Sequence, residues 1–214
     1  MDRIFTGARM RGARAVAAVA AIIGWAGLAL QLILIVDNLG PALGIWRFVG
    51  FFTILANIGS AGVATAIALG GRGGLASAKS RLMALTSIVT VGIVYSLLLR
   101  SVWSPQGWQK VADATLHDVT PILFVLLWAM MPQGKLKWRD LKWALVPPAL
   151  YLAYALARGA VDGWYAYWFL DPSRQNLGEL GLSIVGVLVV FAVVGGLGIA
   201  VDRRLPARER SAST

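Results

Sequence analysis

The segment Arg14–Val36, RAVAAVAAIIGWAGLALQLILIV, decides the fold. It stays apolar for the ~20 residues that a helix needs to cross a hydrocarbon core about 30 Å thick. Polar Asp37 ends it, and Gly40 and Pro41 break the helix just beyond. Further runs of membrane length lie near Trp46–Gly70, Arg81–Trp103, Asp113–Met131, Leu141–Arg158 and Gly178–Val201. The connectors between them are short and carry breakers: Gly70–Gly74, Pro105 with Gly107, Pro132 with Gly134, and Pro172. The reading is an all-α integral membrane bundle of six transmembrane helices with both termini cytoplasmic. It divides into a basic N-terminus (1–13), a six-helix domain (14–201) and a basic tail (202–214). The first run is too long, and lacks the small-residue cleavage site, for a removed signal peptide.

Composition agrees. With 58% hydrophobic and 14% charged residues and a mean hydropathy of +0.71, the chain is too apolar for a soluble domain built on one core. No internal repeat is evident, which weakens a transporter made of duplicated halves. The formal charge of +10 sorts by connector rather than forming a nucleic-acid patch. One face gathers fifteen basic and four acidic residues, the other five basic and six acidic, a balance of +11 against −1. The positive-inside rule therefore turns both termini to the cytoplasm, and attraction to anionic lipid accounts for the basicity without DNA or RNA. Cysteine is absent, which excludes disulfides, thiolate nucleophiles and thiolate-held metals. With one histidine as well, no metal centre and no cofactor is expected.

That histidine, His117, is the only neutral-pH acid/base group in the chain, and it lies near the start of the fourth run. Counted from Asp113, four residues earlier, it sits ~6 Å deep, and Thr53, seven residues after Trp46, sits ~10 Å deep. Both runs enter from the outer face, so a hydroxyl and an imidazole can meet there, as a base-activated nucleophile requires. Asn57, one turn beyond Thr53, is a candidate oxyanion donor, and Asp113 a candidate orienting group for His117. Arg100, Tyr154 and Arg158 reach the same end, the arginines either snorkelling or holding a carboxylate head group. The string WYAYWF (Trp164–Phe169) makes Trp164 and Tyr165 candidates for an interfacial belt or a lid over a lipidic pocket.

FFTILANI (Phe51–Ile58), HDVTP (His117–Pro121) and ARGAVDGWYAYWFLD (Ala157–Asp171) together resemble the bacterial Pr6Pr family of six-span membrane proteins. That family is similar to the eukaryotic androgen-induced protein family, also called FAR-17a/AIG1-like. The resemblance implies an intramembrane threonine hydrolase that cleaves fatty acid esters of hydroxy fatty acids, with Thr53 and His117 as the essential pair. It also implies a bacterial inner-membrane location. Ala56, Ala166 and Trp168 depart from the family's usual serine and prolines.

Each residue also has a structural reading. A threonine in a membrane helix most often bonds the carbonyl four residues back, and a buried asparagine most often joins helices. The rival class is a six-span lipid-binding, sensory or transport protein that uses the same outer pocket without catalysis. Almost no charge lies within the runs, which argues against ion-coupled pumping.

Overall fold

The computed structural model describes residues 2–204, with side chains from Gly7 onward. The chain is an all-α bundle of α1 (Asp2–Leu39), α2 (Pro41–Phe48), α3 (Phe52–Ala68), α4 (Ala78–Val94), α5 (Gly107–Ala114), α6 (Thr120–Met130), α7 (Leu141–Asp162) and α8 (Leu177–Arg204). Tyr95–Leu99 continues α4, and Thr115–Val119 joins α5 to α6, each as a single π-helical turn. Five of the resulting rods are long and apolar enough to cross a membrane, and the bent pair α2 and α3 makes a sixth if counted as one span. This is a multi-pass helical membrane protein.

Three expectations change. The second run is not one rod from Trp46: α2 and α3 meet at 75°. The break falls at Val49–Phe51, where Gly50 lets the Arg158 guanidinium and the Trp164 ring press against bare backbone. The carbonyls it frees are taken up by α7, with Tyr151 donating to Gly50 O at 2.9 Å and Tyr154 to Val49 O at 3.3 Å. Buried carbonyls need such partners. The basic N-terminal segment, for its part, is no separate tail, because α1 runs through it from Asp2. Asp202, assigned to the C-terminal tail, is a buried member of α8 that accepts from Leu136 N at 2.9 Å. Arg3, Arg208 and Arg210 lie outside the described side chains.

The helix ends sort the molecule into two poles. At one, Arg9 donates to the carbonyls of Ala129 and Met130 at the end of α6, and Arg14 to Ala68 O at the end of α3. Arg81 there bridges Ala76 O and Pro132 O at 2.8 and 2.9 Å. Cations at helix C-termini satisfy orphan carbonyls and oppose the helix dipole. Small residues hold the centre: Ala13, Ala17, Ala20 and Ala21 of α1 pack with Ala64 and Ile67 of α3, and Gly24 lies against Ala61. Such faces let backbones approach closely. The opposite pole carries the break in α2–α3 and both π turns.

Candidate active site

The break makes Thr53 the second residue of α3 rather than a residue seven positions inside a rod. Its backbone N–H, one of the four a helix start leaves without an internal partner, donates to the Tyr167 hydroxyl at 3.3 Å. Its side chain is free of the usual back-bond. Thr53 Oγ1 lies 3.3 Å from His117 Nε2 and 3.4 Å from the Tyr167 hydroxyl.

His117 sits on the π turn Thr115–Val119. That turn is allowed locally because Pro121 has no N–H to give to the His117 carbonyl four residues back. Thr120 bonds across it, its hydroxyl reaching Thr115 O at 2.9 Å. Gly27 of α1 packs on Thr115, and Gly92 of α4 on the His117 carbonyl, so the turn is clamped from two sides.

The other ring nitrogen, Nδ1, is 3.0 Å from Asp113 O and 3.3 Å from Asp113 Oδ1. Two acceptors there require Nδ1 to carry a proton, and in the neutral ring this leaves the Nε2 lone pair facing Thr53. Tyr95, on the other π turn, donates its hydroxyl to Asp113 Oδ2 and stacks on the imidazole, with ring centroids 3.9 Å apart. The resulting chain runs Tyr167, Thr53, His117, Asp113, Tyr95. Asp113 is buried within the bundle rather than in a solvated loop.

Beside Thr53 lies a cavity of about 50 Å³ walled by α3, α4, α7, α8 and the turn Trp168–Leu170. Tyr167 overhangs it on the segment after α7. Desolvation raises its hydroxyl above the ordinary phenol range, so it stays protonated and able to donate at neutral pH.

The remaining expected site residues fall elsewhere. Asn57 is fully buried, and its Nδ2 donates to Thr53 O at 2.8 Å and Leu116 O at 3.2 Å. With both hydrogens engaged, it joins α3 to the His117 turn and has none left for an oxyanion. Arg100 pairs with Asp118 at the surface and covers the Tyr95 ring. Arg158 is 5% exposed, packed between Trp46 and Trp164 and 3.9 Å from Asp162. Tyr165 fills the space over Gly159. None of Arg100, Tyr154, Arg158, Trp164 and Tyr165 lines the cavity; Tyr154, Arg158 and Trp164 instead lock the helix break to the end of α7.

Sequence reasoning missed Tyr167 and the role of Tyr95. Tyr95 left a trace, since a phenol and a carboxylate at the same end of adjacent spans want each other as partners. Tyr167 left none beyond the aromatic density around it. Compared with protein-family models, curated proteins and solved structures, the chain matches none of them.

Proposed function

We propose that this protein is a lipid ester hydrolase of the Pr6Pr type, with Thr53 as nucleophile and His117 as its base. The observation that carries the reading is the relay itself: Thr53 Oγ1 lies 3.3 Å from a ring nitrogen whose opposite nitrogen is held by Asp113. A free threonine hydroxyl is too weak a nucleophile at neutral pH, and this arrangement is the remedy.

In the reaction, Thr53 Oγ1 attacks the ester carbonyl carbon while its proton passes to His117 Nε2. The oxyanion that develops takes a hydrogen bond from the Tyr167 hydroxyl, in the role first expected of Asn57, near the positive end of α3. Collapse breaks the bond to the alcohol oxygen, which leaves with the proton from His117. Water, deprotonated by the same nitrogen, then attacks the acyl-threonine, the bond to Thr53 Oγ1 breaks, and His117 returns the proton to that oxygen as the carboxylic acid leaves. Asp113 and Tyr95 act as positioning residues that hold the ring and its tautomer.

The resemblance favours a bacterial inner membrane, and the charge balance favours the arginine-rich pole, with both chain ends, in the cytoplasm. Fatty acid esters of hydroxy fatty acids are the substrate class the resemblance favours. The test is a fluorophosphonate probe and an ester panel offered to the purified protein in detergent. Thr53→Ala and His117→Ala should each lose labelling and lower kcat/KM by at least about 100-fold, while Thr53→Ser keeps both. Equal labelling and turnover in the two alanine variants removes the hydrolase and leaves a passive lipid-binding bundle.

A further inference from the structure

We propose that the cavity beside Thr53 is the binding site for the uncharged acyl chain of the ester, and that the chain leaves the bundle between α4 and α8. This rests on the hydrolase reading for its chemistry, but its geometry stands apart.

The helices around the cavity do not pack evenly. Toward the arginine pole, α8 is pulled against its neighbours by glycine: a Cβ at Gly195 would meet Ala144 Cβ at 2.6 Å, and one at Gly198 would meet Leu82 at 3.3 Å. At the Thr53 pole, α8 presents Val187 and Phe191 instead, opposite Val94 and Leu99 and above Leu152 of α7. Bulk there keeps the rods from closing, and the gap is the cavity.

Its wall carries the Thr53 side chain and no Asp, Glu, Lys or Arg. A carboxylate placed inside would lose its water without gaining a counter-charge. Of the two arms of an ester between a fatty acid and a hydroxy acid, the one with the free carboxylate is thereby refused. The hydrocarbon arm gains by burial.

Size sets the route. About 50 Å³ is a fraction of the ~150 Å³ that takes up one benzene ring, so only the first carbons beyond the carbonyl fit. Val94, Leu99 and Val187 are half-buried, forming a rim that opens on the outer surface of the bundle. A longer chain passes through this rim into the surrounding lipid.

The experiment uses the methylumbelliferyl ester of a palmitic acid carrying a mid-chain diazirine, with the acetyl ester as the short comparison. In Thr53→Ala protein, photo-crosslinks should map to Ala78–Leu99 and Leu177–Arg204. In otherwise wild-type protein, Val187→Phe should lower the ratio of palmitoyl to acetyl kcat/KM at least tenfold, and Leu99→Trp should do so from the opposite wall. Crosslinks on other helices with an unchanged ratio overturn the acyl site while leaving the hydrolase intact. Crosslinks on α4 and α8 without any turnover by the wild-type protein have the opposite meaning: the hydrolase falls and the chain site remains.

Discussion

A threonine hydroxyl inside a helix ordinarily disappears into the carbonyl one turn back, as Thr65 does with Ala61 O and Thr115 with Val111 O, both at 2.7 Å. Thr53 escapes because it lies in the first turn, where the residue four back, Val49, sits across the break with its carbonyl already taken by Tyr154. Its Oγ1 is left to His117 and Tyr167. The closeness of His117 to Asp113 was legible from their four-residue spacing, whereas Thr53 meets His117 at a depth counted along an unbroken second span that in fact bends at Gly50. Tyr167 was not legible, since its hydroxyl finds Thr53 only through tertiary packing. Asn57 follows its structural reading instead of the oxyanion one: its amide is held by the carbonyl one turn back and by Leu116 O across the helix interface. Tyr167→Phe separates these roles. The ring keeps its packing on Phe51, Tyr151 and Phe169, so the fold and KM should be unchanged while kcat falls about 100-fold, the scale of losing one oxyanion donor. A rise in KM at constant kcat would instead make Tyr167 part of the substrate's container.

Irregular elements, rather than the long rods, make the site. Long apolar runs announce membrane helices, so their number and order were readable, with the second as a bent pair. The bend itself was not, because a lone Gly50 in an apolar stretch looks like any helical glycine. The two π turns were equally hidden. They commonly mark functional positions, since the extra residue turns a side chain off its helical register. Here they bring Tyr95 and His117 face to face. The clamp on the second turn can be tested from α1. A Cβ at Gly27 would lie 2.6 Å from Thr115 Cγ2 and 3.3 Å from Leu116, so Gly27→Val forces the turn outward at a cost of about 1–3 kcal/mol. The variant should still purify as a folded bundle with a lowered melting temperature, and should lose most probe labelling at Thr53. Full labelling at a lowered melting temperature would mean that the turn holds His117 without help from α1.

At the scale of the whole molecule the two poles do different work. Arginine side chains close the helix ends at one pole, and buried hydroxyls, a carboxylate and an imidazole gather at the other. Among the described residues the charge asymmetry follows the same axis, and it is read from the order of the connectors alone. Under the positive-inside rule, the connector 69–77 is expected to face the cytoplasm and the connector 100–106 to face outward. The absence of cysteine makes this easy to check. A cysteine placed at exposed Gly73 should react with a membrane-impermeant maleimide only after the cells are opened, whereas one at exposed Gln106 should react in intact cells. Both substitutions sit in loops away from Thr53 and His117, so labelling can be read beside unimpaired turnover. If Gly73→Cys were the one labelled from outside, the relay would lie under the cytoplasmic leaflet. Its substrates would then come from the cell interior, and the charge rule would have to yield to a stronger determinant of insertion in this chain.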